Sequence, residues 1–141
     1  MRQNECICSR TGHDRSYAKA LLFCNPPEER IVAANGPAMA IRDGFPVFPG
    51  HTLIILQRHV ITFFDTTTEE RLAMFELMEK VKLALDAELH PAAYNIGVND
   101  GPAAGQTISH LHFHLLPRYA GDDTDPRGGV SRVLPKKANY W

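Results

Sequence analysis

The chain has 141 residues, 44% of them hydrophobic, and a net charge of −1. This length predicts one domain with enough chain to bury a core, and the near-neutral charge argues against nucleic acid as the main partner. No apolar run approaches the roughly 18 residues that a membrane span needs, and no secretory signal is visible. Three cysteines do not suggest a disulfide framework, so we expect a cytoplasmic protein without a membrane partner.

The first 20 residues are polar, and we expect them to form an irregular extension outside the main core. Cys6 and Cys8 lie in this part, separated by one residue, which is an uncommon spacing for zinc ligands. An apolar segment follows at 21–24 and should end at Asn25-Pro26-Pro27, because proline interrupts regular structure.

Two short strands are predicted at 30–33 and 38–41, joined as a hairpin by the turn Asn35-Gly36-Pro37. Asp43 follows the second strand directly. Its carboxylate either accepts hydrogen bonds from the hydroxyls of a sugar or caps the turn at Gly44, and both interpretations stay open.

A third strand is predicted at 52–56, where the residues are apolar and mostly β-branched. His51 at its start is expected to face the same surface as three later histidines. His59 lies beyond the strand beside Arg58 and is interpreted as a surface residue.

One long helix is predicted after the threonines at 66–68, because Glu69 and Glu70 complete the pattern of a capping box. We expect it to run to about Leu89 and to end before Pro91. Apolar residues recur at helical spacing and predict one buried stripe: Met74, Leu77, Met78, Val81 and Leu85.

Residues 94–99 alternate between apolar and polar, as is typical of a half-buried strand. The following loop, 100–107, is rich in glycine and alanine, which let backbone N–H groups approach an anion closely. Gln106 and Thr107 add polar side chains that are able to bond phosphate oxygens.

His110, His112 and His114 alternate with large apolar residues. Read as a strand, this pattern puts the three imidazoles on one face, roughly 6.5–7 Å apart, and the apolar side chains on the other. Imidazole titrates near neutrality, so such a face suits proton transfer or nucleophilic attack. Two alternatives stay open: an ordinary half-buried strand, and a metal site in which the imidazoles share a zinc ion.

The stretch 99–116, with Gly105-Gln106-Thr107 followed by H-x-H-x-H, resembles the histidine-triad (HIT) family of nucleotide hydrolases and transferases. The resemblance covers about residues 20–118. It implies an α+β fold, a five-stranded antiparallel sheet with helices packed on one face, and a homodimer. We accordingly expect an N-terminal extension at 1–20, a HIT domain at 21–119 and a C-terminal tail at 120–141.

The resemblance also implies roles for individual residues. His112 matches the nucleophile that attacks the α-phosphorus of a purine nucleoside phosphate ester, anhydride or phosphoramidate and releases a nucleoside monophosphate such as AMP. His110 belongs to the same catalytic triad. His114 and His51 match positions that contact phosphate oxygens. The positions around the phosphate and the leaving group are matched by Asn99, Gly105, Gln106 and Thr107. Asp43 matches the position that holds the ribose, and Ile41 matches the position near the base.

A covalent nucleotidyl-histidine divides one difficult displacement into two easier ones and requires no metal or other cofactor. Many bacterial members bind structural zinc through a C-x-x-C pair, but here Leu21 stands in the place of the first cysteine, three residues before Cys24. We therefore expect no zinc, unless Cys6 or Cys8 substitutes. The alternatives to a nucleotide hydrolase are a non-catalytic nucleotide-binding module that uses the same pocket and a histidine-metal enzyme.

Overall fold

The computed structural model describes residues 15–138, with the side chains of residues 20–138. Cys6 and Cys8 lie outside the described residues. Five strands form one antiparallel sheet in the order β1-β2-β3-β5-β4. They are β1 (Ile31–Asn35), β2 (Ala38–Arg42), β3 (Thr52–Leu56), β4 (Ala93–Val98) and β5 (His112–Arg118), and the α-helices are α1 (Arg15–Cys24) and α2 (Thr68–Leu89). The predicted α+β fold with a five-stranded antiparallel sheet is confirmed.

The first three strands follow the sequence pattern closely. β1 and β2 form the predicted hairpin, with Gly36 at a φ of 54° in the turn. β3 lies in the middle of the sheet between β2 and β5, and all five of its residues are buried. A strand covered on both faces reads as a continuous apolar run, which is why alternation is absent from 52–56.

α2 covers one face of the sheet. Thr67 accepts a hydrogen bond from the backbone N–H of Glu70, whose carboxylate accepts one from the backbone N–H of Thr67, so the predicted capping box is confirmed. The helix ends at Leu89, and His90 takes the left-handed conformation before Pro91. The predicted apolar stripe is buried in the main core with Leu111, just before β5, and with these sheet residues: Ala38, Ala40, Ile54, Leu56, Phe113 and Leu115.

The N-terminal part differs from the expectation, because residues 15–20 are helical rather than irregular. α1 crosses the predicted boundary at residue 20 and ends, as expected, before Asn25-Pro26-Pro27. Ala20 and Phe23 are buried, and Phe23 forms a second apolar cluster with Ile41, Leu53 and Ile55. This packing holds α1 on the folded domain. The division into extension, domain and tail stays a prediction.

The histidine strand begins two residues later than predicted. β5 starts at His112, because the two residues before it are bonded outside the sheet. The backbone N–H of Leu111 donates to the carbonyl of Val60, and the backbone N–H of His110 donates to the carbonyl of Ile108. His110 therefore precedes the strand. Along residues 15–138, neither α-helix is both long and apolar enough to cross a membrane.

Candidate active site

His112 is held in the tautomer that a nucleophile needs. Its Nδ1 lies 2.7 Å from the backbone carbonyl oxygen of His110, which only accepts, so Nδ1 donates and Nε2 keeps a free lone pair. The ring is buried and meets Phe23 edge to face, with ring centroids 5.3 Å apart. The backbone just before β5 and the end of α1 together fix the orientation of this imidazole.

His51 and His114 form a second ordered pair beside His112. The Nδ1 of His51 accepts the backbone N–H of Val47 at 3.3 Å, which leaves the proton of His51 on Nε2. That Nε2 lies 2.9 Å from Nδ1 of His114, so His114 accepts there and carries its own proton on Nε2. Asp43 lies close to this pair, with Oδ2 3.4 Å from Nε2 of His51. The predicted meeting of His51 with the histidine strand is confirmed.

Burial keeps these imidazoles uncharged at neutral pH. Burial, together with the neighbouring rings of His112 and His51, lowers the pKa of His114 to about 4, although the Asp43 carboxylate opposes the shift. Burial also lowers the pKa of His112 and of His51, while the Asp43 carboxylate opposes both shifts. A neutral His112 with a bare Nε2 is a competent nucleophile, and a neutral His114 still offers an N–H donor.

The ring of His110 lies near that of His112, since Phe23 meets both edge to face, but it has different hydrogen-bond partners. It is fully buried, and its Nε2 donates to the carbonyl oxygen of Leu56 at 2.9 Å, while its Nδ1 lies 3.5 Å from Sγ of Cys24. What His110 contributes beside His112 is its backbone carbonyl. The sequence predicts all three imidazoles on one face. Phe23 contacts the rings of both His110 and His112, and Leu111 packs with Phe113 and Leu115 in the main core, although the strand itself begins only at His112.

A compact group of side chains surrounds the ring of His110 and consists of Cys24, His59 and His110 itself. Sγ of Cys24 lies 3.4 Å from Nδ1 of His59, and the rings of His59 and His110 meet edge to face at 5.2 Å. The interpretation of His59 as a surface residue was wrong. His59 follows the end of β3, where the chain bends and strand alternation no longer predicts direction.

The glycine-rich loop is closed by its own hydrogen bonds. The amide group of Gln106 accepts the N–H of Gly101 at 2.8 Å and donates to the carbonyl of Ile61 at 2.9 Å. The backbone N–H groups of Ala104, Gly105 and Gln106 also bond carbonyls within the loop. In this conformation these groups hold the loop shape, and the phosphate contacts predicted for Gly105 and Gln106 stay predictions.

The remaining predicted site residues are placed as follows. Asp43 caps the turn, since Oδ1 accepts the N–H of Phe45 at 2.8 Å, and its ribose contact stays a prediction. Ile41 is fully buried in the cluster around Phe23, Asn99 is half-buried, and Thr107 is exposed. Their contacts with a nucleotide stay predictions.

Sequence reasoning missed two residues that support the site. Phe23 packs on His112 from α1, and only its place in an apolar segment pointed to burial. Asp100 accepts hydrogen bonds from Oγ1 of Thr62 at 3.0 Å and from the N–H of Phe63 at 2.8 Å. Asp100 thereby joins the glycine-rich loop to the segment after β3, a contact between residues distant in sequence.

Comparison with known proteins agrees with this arrangement. The family model described as HIT domain matches residues 27–121. An uncharacterized 16.1 kDa HIT-like protein of Mycoplasma pneumoniae is 37% identical over 102 residues, which cover 70% of this chain and 71% of that protein. An asymmetrical bis(5'-nucleosyl)-tetraphosphatase of Schizosaccharomyces pombe is 40% identical over 77 residues, which cover 55% of this chain and 42% of that protein.

Solved structures show the same fold. A HIT family protein of Bacillus anthracis matches with a TM-score of 0.67 and 34% identity, covering 72% of this chain and 75% of its own. A zinc-bound histidine triad family protein of Mycobacterium smegmatis matches with a TM-score of 0.66 and 29% identity, and the match covers 77% of this chain and 78% of that chain. The match to the HIT domain model over residues 27–121, together with the histidine site described above, shows that this chain belongs to the histidine-triad (HIT) family.

Proposed function

We propose that the protein is a nucleotide hydrolase or transferase that cleaves nucleoside 5′-phosphoryl compounds at the α-phosphate. Its substrates would be dinucleoside polyphosphates or nucleoside phosphoramidates, with adenine as the expected base. The observation that carries the proposal is the 2.7 Å hydrogen bond from Nδ1 of His112 to the carbonyl of His110, which leaves Nε2 available for attack. A similar protein is named as a dinucleoside tetraphosphatase, which supports this substrate class.

In the first step, Nε2 of His112 attacks the α-phosphorus, and the bond from phosphorus to the leaving group breaks, with its electron pair going to the leaving group. The product is a nucleotidyl group on His112. In the second step, water attacks the same phosphorus, the P–N bond breaks, and the nucleoside monophosphate leaves with His112 restored. A transferase would use another nucleophile in place of water.

The surrounding donors would stabilise charge on the phosphoryl oxygens. His114 presents an N–H at Nε2 because His51 donates to its other nitrogen at 2.9 Å. A donor fixed before the reaction needs no reorganisation as charge develops, which is the main advantage of such sites. In this scheme His110 is a positioning residue that acts through its carbonyl, and Ile41 would lie near the base.

The test is monophosphate release from adenosine 5′-phosphoramidate and from a dinucleoside polyphosphate. We expect His112→Asn to abolish release, and mass spectrometry of acid-free quenched samples to find the nucleotidyl group on His112. The matched control is His90→Asn, because His90 is exposed at the end of α2 and asparagine accepts its left-handed backbone.

Three results would contradict the proposal: release that survives His112→Asn, an adduct on another residue, or tight nucleotide binding without product. The last result would identify a non-catalytic nucleotide-binding module. Activity that depends on added metal and disappears with a chelator would instead support a histidine-metal enzyme.

A second copy of the chain would complete the proposed enzyme as a homodimer. β4 is an edge strand whose Ile96 is half exposed, and α2 leaves Leu72, Phe75 and Leu83 exposed. Exposed apolar groups beside an unpaired strand edge favour association. Sedimentation should show that the parent protein is a dimer and that Ile96→Lys dissociates it. Leu22→Lys, at an equally exposed position on α1, should leave the dimer intact. A monomeric parent protein would refute the proposed dimer.

A further inference from the structure

Arg30 differs from the other arginines whose side chains the structure describes. Most of those form an ion pair with a carboxylate: Arg42, Arg58, Arg118, Arg127 and Arg132. Arg71 instead donates to oxygens of Phe63 and Thr66 and lies over the Phe63 ring. The half-buried Arg30 donates only through Nε, to the carbonyl of Arg42 at 2.9 Å. Within residues 20–138, its terminal nitrogens, Nη1 and Nη2, have neither a carboxylate partner nor a hydrogen-bond acceptor.

The guanidinium of Arg30 lies flat over Gly44. A Cβ built on Gly44 would lie 3.5 Å from Cζ of Arg30 and 3.6 Å from each terminal nitrogen. An approach along the edge of the guanidinium would bring the nitrogens closer than Cζ, so these distances show a contact with its flat face. The N–H groups on the edge are therefore not directed at Gly44, and they are available to a ligand beside the turn.

Gly44 connects this guanidinium to the candidate active site. The preceding residue, Asp43, belongs to the site, because its Oδ2 lies 3.4 Å from Nε2 of His51. The other carboxylate oxygen of Asp43 accepts the N–H of Phe45 at 2.8 Å, which holds the turn around Gly44. The histidines, the Asp43 carboxylate and the turn that carries Arg30 therefore follow one another along this side of the site.

The proposed reaction assigns a part of the substrate to each of these positions. His51 and His114 would contact the 5′-phosphoryl group, and Asp43 would contact the ribose. On a ribose ring, the 5′-carbon and the 2′- and 3′-oxygens lie on opposite sides. A group attached to either oxygen would therefore extend from Asp43 past Gly44 toward Arg30. An arginine near an acidic ribose-binding residue is also the arrangement with which dinucleotide-binding folds accommodate a 2′-phosphate.

We propose that Arg30 is a specificity-determining residue that binds a second phosphate, carried on the 2′- or 3′-oxygen of the nucleoside 5′-phosphoryl substrate. The inference rests on the proposed function for the position of the ribose. The two terminal nitrogens of Arg30 would donate to two oxygens of that phosphate, a pairing that suits the planar fork of arginine. The positive charge would also offset the repulsion between this phosphate and the Asp43 carboxylate.

The kinetic test measures kcat/KM for adenosine 5′-phosphoramidate and for its 2′-phosphorylated and 3′-phosphorylated forms. We expect the parent protein to prefer one phosphorylated form by about 10- to 100-fold, the range for hydrogen bonds to charged groups. Arg30→Gln should abolish the preference, and Arg30→Lys, which keeps the charge but not the fork, should keep part of it. The matched control is Lys80→Gln, which removes the same charge from an exposed position on α2 and should retain the preference. Each preference is a ratio within one variant, so a partial loss of folded protein does not change it.

Calorimetry with AMP, adenosine 2′,5′-bisphosphate and adenosine 3′,5′-bisphosphate tests the same variants without turnover. A preference for one bisphosphate that disappears in Arg30→Gln supports the inference even if no compound is hydrolysed, so a failure of the proposed hydrolysis is distinguished from a failure of the inference. Gly44→Val should also weaken the preference, because its larger side chain displaces the guanidinium while the charge of Arg30 remains. Equal or tighter binding of AMP by the parent protein, no binding of any of the three, or a preference that survives Arg30→Gln would each overturn the inference.

Discussion

Gly50 offers a direct test of how the sheet, α2 and the active site are fitted together. It has a φ of 84°, and a Cβ built on it would lie 2.8 Å from Cδ1 of Leu89, 2.9 Å from Cδ2 of Leu85 and 3.2 Å from Cγ of Pro117. Its carbonyl accepts the hydroxyl of Thr52 at 2.8 Å. Gly50→Ala therefore combines backbone strain with crowding beside His51 of the candidate site.

The two costs can be separated with a second glycine. Gly36 also has a positive φ, 54°, but nothing lies within 4 Å of a Cβ there. We expect Gly36→Ala to lower the free energy of unfolding by about 1–2 kcal/mol, the cost of a left-handed residue with a side chain. Gly50→Ala should cost a further 1–3 kcal/mol or so for overpacking, because Leu85 is fully buried and Pro117 is a rigid ring.

Urea unfolding measures both costs, provided that the slope of the free energy of unfolding against urea concentration is the same for all variants. The crowding argument also predicts a coupling: in the Leu85→Ala background, Gly50→Ala should cost less than it does in the parent protein, although Leu89 and Pro117 still crowd the added Cβ. Equal costs for the two glycine variants in the parent background would refute the reasoning. We further expect Gly50→Ala to reduce monophosphate release, because it displaces the residue next to His51.

Three further outcomes follow from individual contacts. Thr67→Ala removes the capping box of α2 and should lower the free energy of unfolding by about 1 kcal/mol in urea, whereas an unchanged midpoint would contradict it. Burial holds the pKa of His114 at about 4, below the ordinary 6.5, so the unfolded chain binds more protons between these values. The contribution of His114 to stability should be full above pH 6.5 and decrease by at most about 3 kcal/mol as the pH falls to 4. His114→Gln should remove this part of the decrease and leave the part due to His110, whose pKa burial also lowers to about 4. Asp43→Asn removes the charge that raises the pKa of His51 and His114, so both pKa values should fall further in an NMR titration, and a rise would refute the assignment.

Local chemistry is what made most of the fold predictable. The hairpin around Gly36, the capping box at Thr67 and the end of α2 at Leu89 each depend on residues within a few positions of one another. The apolar stripe of α2 follows from helical periodicity alone. β3 was equally clear, because a short β-branched apolar run bounded by breakers favours a buried strand.

The parts that could not be predicted depend on contacts between distant residues. Cys24 and His110 are 86 positions apart, and their approach depends on how α1 packs against the sheet through Phe23. The start of β5 at His112 rather than His110 is set by the bond from Leu111 to Val60, which the alternating pattern does not contain. His59 was misplaced for the same reason, since alternation has no meaning after a strand has ended.

Three histidines with the same spacing have different contacts, and only two of them lie on β5. His112 and His114 lie on the strand, with His114 beside His51, whereas His110 precedes the strand and its ring lies against Cys24 and His59. The backbone of His110 nevertheless stays beside His112, where its carbonyl fixes the tautomer of the nucleophile. One residue thus belongs to both groups, through its side chain in one and its backbone in the other. A substitution of His110 that keeps the backbone bond therefore tests the contribution of its ring separately from that of its carbonyl.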